Sequence, residues 1–135
     1  MIKFVKVKYK AIFHYEGQEP STVYYKGQGE FDDQAIEVSF NDENYGNIKI
    51  HIKEEEVVLT TGKAFVVLRD EIVENIYNTP YGAIVLNTRL LLVEYNEKTI
   101  KLKYEVLQEK EVIGNVFILV NMLEVDNDEV NRLFA

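Results

Sequence analysis

The sequence predicts an all-β protein, an antiparallel meander closed into a barrel of about eight to ten strands, and three observations lead there. Apolar and polar residues alternate with period two along most of the chain. Short clusters of Gly, Pro, Asn and Asp punctuate the alternating runs at near-even spacing. Two glycines stand on the apolar side of one run, where a sheet that closes on itself must coil sharply. A meander of this length left open would expose two strand edges, and closure removes them.

The first run sets Val5, Val7, Tyr9, Ala11, Phe13 and Tyr15 on one face and Lys6, Lys8, Lys10, His14 and Glu16 on the other, with Ile12 alone out of pattern. A turn through Gln18, Glu19 and Pro20 leads to the second. There Val23, Tyr25, Gly27, Gly29 and Phe31 oppose Thr22, Tyr24, Lys26, Gln28 and Glu30. Gly27 and Gly29 permit a bulge or sharp coil, and the alternative use of their missing bulk is interior room for a ligand. Ile36, Val38 and Phe40 then alternate with Glu37 and Ser39. After the turn at residues 44–47, Ile48, Ile50 and Ile52 alternate with Lys49, His51 and Lys53, which reads as a hairpin.

Residues 57–60 form a short strand, and Thr61, Gly62 and Lys63 turn tightly into residues 64–69. Residues 71–78 continue extended, without a partner that the pattern identifies. Pro80 and Gly82 make a second strong turn, Pro fixing one φ and Gly tolerating a positive one. Three long strands follow at 83–95, 99–108 and 112–125, joined by loops of hairpin length. The last ten residues change period: Asp126 caps a short helix with Val130, Leu133 and Phe134 on one face, placed to plug one barrel mouth.

The chain of 135 residues makes one domain, 1–135, with enough length to bury a core without staples. It contains no cysteine, which excludes disulfides, thiolate metal sites and thiol catalysis. Fifteen basic residues against twenty-three acidic give a net charge of -8, which opposes phosphate backbones and anionic lipid, so neither nucleic acid nor membrane is an expected partner. The charge is uneven, because Lys3, Lys6, Lys8 and Lys10 crowd the first ten residues. The start of the chain alternates charged with apolar residues, unlike a signal peptide, and no apolar run approaches the roughly 18–20 residues of a membrane span. The cytoplasm is the expected location.

Candidate chemistry is sparse. His14 and His51 share faces with lysines and are expected to be exposed, and neither has a second ligand at a metal-binding spacing. Thr88 shares the parity of Ile84, Leu86, Leu90 and Leu92, so its hydroxyl either bonds a backbone carbonyl or orients a ligand. Glu94 has the same parity and stands out most among the strand carboxylates for its alignment with aliphatics. Arg69 follows Phe65 and Val67 in parity, at a barrel end where a guanidinium could bind a carboxylate. Tyr25, among many amphipathic tyrosines, falls on the apolar face beside the glycines. The ordinary explanation of each is structural: a satisfied core hydroxyl, a solvent-facing strand end, a core wall. No phosphate loop, nucleophile elbow or calcium loop occurs, and no cofactor is expected.

The order of the chain, and Tyr77, Asn78, Thr79, Pro80, Tyr81 and Gly82 followed by Thr88 in a long apolar strand, resemble the YwiB-like family of uncharacterised bacterial proteins. The resemblance covers residues 5–125 and implies a calycin-like, lipocalin-like barrel. It carries no activity whose residues could be transferred. The chain departs from the family pattern before Gly62, where an arginine is expected and Thr60 and Thr61 stand.

These readings converge on a β-barrel that binds a small apolar molecule in its interior, with Arg69, Thr88, Glu94 and Tyr25 as candidate contacts. The alternative is a structural or interaction module without a cavity; an enzyme is the third choice. Residues 64–68, 90–93 and 116–120 are apolar on both faces, and the second face needs cover from the C-terminal helix, a loop or another subunit, of which a homodimer is preferred.

Overall fold

In a computed structural model the described residues are 1–62 and 64–125. They form ten strands: β1 (Ile2–Tyr15), β2 (Ser21–Asp32), β3 (Glu37–Asp42), β4 (Gly46–Ile52), β5 (Val57–Thr61), β6 (Ala64–Leu68), β7 (Val73–Thr79), β8 (Gly82–Tyr95), β9 (Thr99–Gln108) and β10 (Glu111–Glu124). The helix expected at 126–135 lies outside the described residues.

Every pairing is antiparallel, in the order β6-β5-β4-β3-β2-β1-β10-β9-β8-β7, so the first and last strands meet in the middle of the sheet. The two sheet edges, β6 and β7, are adjacent in sequence and face each other across a seam. The result is a meander bent round into a nearly closed barrel, as the alternation predicts.

The alternation also sets the core. Val5, Val7, Tyr9 and Ala11 of β1 are buried and oriented inward, Tyr9 and Ala11 in register with Val120 and Ile118 of β10 on one side and with Tyr25 and Val23 of β2 on the other. Ile12 breaks the pattern because it faces outward opposite Phe117, on an outer surface that is itself partly apolar. The core is packed most completely toward the end holding the β2–β3 and β6–β7 connections, where Val7, Val38, Leu68, Ile100, Leu102 and Val120 are fully buried.

Gly27 and Gly29 both face inward, and neither leaves room. The Tyr25 hydroxyl lies 2.5 Å from where a Gly27 Cβ would stand. At Gly29 a Cβ would come within 2.5 Å of the Ser39 carbonyl oxygen and 2.9 Å of Val7 Cγ2. The ligand-space alternative for these glycines is thus corrected: Gly29 permits close approach of β3 and β1, and at Gly27 the Tyr25 ring fills the space. At the β7–β8 turn Gly82 takes φ 122°, as its place after Pro80 predicts.

The seam is closed by side chains. β6 and β7 share no backbone ladder; instead Asn75 of β7 presents its amide to Val67 of β6 as a strand would present a peptide group. Val67 N–H donates to Asn75 Oδ1 (2.9 Å), and Asn75 Nδ2 donates to Val67 O (3.2 Å) and to Thr88 Oγ1 (2.8 Å). The Thr88 hydroxyl in turn donates to Val67 O (3.0 Å), and Leu90 N–H donates to Arg69 O (2.6 Å), two residues further along each strand. Asn75 and Thr88 are among the few buried polar side chains, and both are satisfied here.

The stretches that are apolar on both faces do leave apolar groups outside. Phe65 is 57% exposed and Leu91 45%; outside those stretches Ile76 and Val85, cross-strand neighbours on β7 and β8, are also 59% and 50% exposed.

Candidate binding cavity

Toward the end carrying the β1–β2, β3–β4 and β5–β6 turns, the interior opens into a cavity of about 310 Å³. Its walls come from the inward faces that the alternation marks: Tyr9, Phe13 and Tyr15 of β1, Val23 of β2, Ile48 and Ile50 of β4, Leu59 of β5, Ala64 and Val66 of β6. Leu86, Tyr104 and Ile118 complete the wall from β8, β9 and β10, and Tyr45, in the β3–β4 turn, stands at the rim. The barrel is therefore both filled and hollow, packed at one end and open at the other.

The lining is mainly aliphatic and aromatic, with Thr60 and Thr61 of β5 and Lys49 of β4 as its other polar members. Burial pushes the Tyr9 hydroxyl pKa up to about 12, and the nearby Asp42 carboxylate and Tyr45 reinforce the shift. Burial raises Tyr15 as well. Both phenols are therefore neutral at physiological pH and available as donors. Lys49, at the rim, lies 3.9 Å from Glu37, so its charge is shared with a carboxylate. Neutral phenols, an adjacent Asp42 and a compensated lysine suit an uncharged, mainly apolar guest with a hydrogen-bond acceptor better than an anion.

The Tyr9 shift has a measurable consequence. A folded-state pKa above the unfolded value of 10.0 favours the native state fully below pH 10, and that contribution is lost as pH rises through about 12. Urea unfolding between pH 9 and 12 should show a decline whose Tyr9-dependent part is roughly 2–3 kcal/mol. Tyr9→Phe should flatten that part, and an identical pH profile in the variant would refute the assignment.

The four residues singled out in the sequence do not converge, and none lines this cavity. Thr88 is inward and buried, but its hydroxyl is committed to the seam. Arg69 follows Phe65 and Val67 in parity onto the outer surface, at the opposite end of the barrel. There it holds Glu56 at 2.9 Å, which raises its pKa further, so it does not line the interior. Glu94 also requires correction. A β-bulge between Leu90 and Leu92 resets parity, so that Val93 pairs with Leu102 and Glu94 falls outside opposite Lys101, exposed. Tyr25 points inward but packs on Phe40, rings 4.6 Å apart and nearly parallel, and donates its hydroxyl to Gln28 O (3.0 Å). His14 is exposed, and His51 stands 3.5 Å from Glu37 on the outer face.

The residues that do build the cavity were visible as an inward row but not as a site. Parity places Tyr9, Phe13, Tyr15 and Tyr104 inside; it does not say at which height the interior stops being filled.

No family model and no curated protein matches the chain. Among solved structures, the crystal structure of the ywiB protein from Bacillus subtilis superposes with a TM-score of 0.65 at 15% identity, covering 89% of this chain and 92% of that one. Nearly the full length of both chains takes part, so the likeness includes the strand order and not a local motif. The chain has the fold of a YwiB-like β-barrel, the family its Tyr77–Gly82 turn and strand order resemble.

Proposed function

We propose that this protein binds a small, neutral, mainly apolar molecule in the cavity at the open end of the barrel. The observation that supports the reading is the cavity itself, about 310 Å³ between inward aliphatic and phenol side chains, a size at the lower end of small-ligand sites. The phenols supply the few oriented polar contacts such sites use, and the aliphatic wall supplies the affinity. Arg69 and Glu94 lie on the outer surface while the Thr88 hydroxyl is committed inside the seam, and none reaches the cavity, which favours binding over catalysis.

Titration with 1-aminoanthracene, a neutral apolar fluorophore, tests the reading. Saturable binding is expected. Leu86→Trp, which fills the cavity from a half-buried position, should weaken it at least about tenfold with little change in the unfolding midpoint. Absence of saturable binding, or equal binding by the variant, would overturn the proposal.

A second reading, assembly as a homodimer, draws on exposed Phe65, Ile76 and Val85 on the outer face beside the seam. Sedimentation should then show a dimer that Phe65→Asp combined with Val85→Asp converts to monomer. A wild-type monomer at high micromolar concentration removes this reading.

A further inference from the structure

β2 is paired along its whole length with β1, from Ser21 to Asp32, yet with β3 only over Gly29–Asp32. The β3–β4 hairpin turns at Asp42–Gly46 and parts from β2 above Gly29. Residues 21–28 of β2 therefore have a strand neighbour on one side alone among the described residues. The gap lies directly beside the cavity, because Val23 on β2 and Tyr45 and Ile48 on the hairpin are its facing walls. Within it, the Tyr25 hydroxyl already caps one backbone carbonyl, that of Gln28. An open edge of eight residues, about 27 Å long, is a template for another strand unless it is covered.

We infer that residues 21–28 of β2 accept an extended peptide as an added strand, with alternate apolar side chains entering the cavity and acidic ones facing outward. This rests on the cavity being a binding site, and it names a second class of guest for it. Alternation decides the chemistry. Residues of the added strand beside Val23 face the apolar interior, whereas those between them face the outer surface beside Tyr24 and Lys26. That surface is cationic: Lys26 stands opposite Lys8 in the β1–β2 register, and Lys10 Nζ lies 5.7 Å from the centre of the Tyr24 ring. Tyr24 itself is 68% exposed. Carboxylates on the outward positions complement these lysines in a chain that is otherwise acidic, and lysines there would be repelled.

Two labelled, end-capped octapeptides test this, one alternating valine with glutamate and the other valine with lysine. The glutamate peptide should bind saturably, the lysine peptide at least about tenfold more weakly at low salt. Alternate amides of residues 21–28 should exchange more slowly in the complex. Lys8→Glu with Lys26→Glu should reverse the preference, which separates charge complementarity from a folding defect. Binding of neither peptide, equal binding of both, or binding that leaves those amides unprotected overturns the inference. If 1-aminoanthracene still binds a protein that takes neither peptide, strand addition fails alone. If the glutamate peptide binds and the dye does not, the small-molecule reading fails alone.

Discussion

Gly29→Ala is expected to destabilise the barrel by about 3 kcal/mol or more, while Gly27→Ala, two residues earlier on the same inward face, costs about 1 kcal/mol. The difference lies in what each new methyl group meets. At Gly29 it meets the Ser39 carbonyl oxygen at 2.5 Å, Val7 Cγ2 at 2.9 Å and Phe40 Cβ at 3.1 Å. The first is backbone of the adjacent strand, and relieving the overlap means pushing β3 away. β3 is held to β2 through only the four pairs from Gly29 to Asp32, so the displacement acts on the weakest ladder of that wall. At Gly27 the obstacle is the far end of a side chain, the Tyr25 hydroxyl at 2.5 Å. Its ring can swing aside, losing the bond to Gln28 O and part of its stacking on Phe40. Alanine's smaller unfolded-state entropy offsets part of that loss. Urea denaturation of the two variants checks the ranking; equal midpoints would show that β3 yields as easily as a tyrosine ring.

That pair of glycines also marks what the sequence could and could not convey. Their position on the apolar face announces coiling, because period two is a local property that survives without knowledge of neighbours. Their surroundings do not, since Ser39 and Val7 come from other strands. Thr88 is the same case: its inward parity was readable, but the carbonyl it bonds belongs to Val67, twenty-one residues away. Glu94 fails for another reason. A single bulged residue between Leu90 and Leu92 inverts every later side chain of β8, and nothing in a run of leucines says where the extra residue falls. The cavity was legible as chemistry, in the tyrosines of the inward row, but not as a place. Its height depends on where β3 and β4 end relative to the longer β1 and β2, a comparison between strands.

Asn75→Ala is expected to cost roughly 2–4 kcal/mol, a large effect for one polar residue. The Asn75 amide makes three bonds, accepting from Val67 N–H and donating to Val67 O and Thr88 Oγ1, so it stands in for a peptide group where β6 and β7 have no ladder. Alanine leaves the Val67 N–H with no partner in this arrangement, and an unpaired donor at the seam costs more than the bond it lost. Thr88→Val removes one donor to Val67 O but leaves the Asn75 bonds to β6, and should cost about 1 kcal/mol, whereas Thr88→Ser should be close to wild type. Because Asn75 and Thr88 share the 2.8 Å bond, the double variant Asn75→Ala/Thr88→Val should lose less than the sum of the two. Asn75→Asp separates shape from hydrogen bonding: it retains an acceptor for Val67 N–H but, when ionised, offers no donor to Val67 O, and a buried carboxylate is disfavoured. Its folded-state pKa is therefore raised, so the stability of this variant should be greatest at low pH and fall as pH rises through that value. Equilibrium unfolding of the five variants and the wild type, with amide exchange at Val67 as a local reporter, provides the measurement. If Asn75→Ala lies within about 0.5 kcal/mol of wild type, backbone or water can take the place of the amide, and the seam is closed by something other than this side chain.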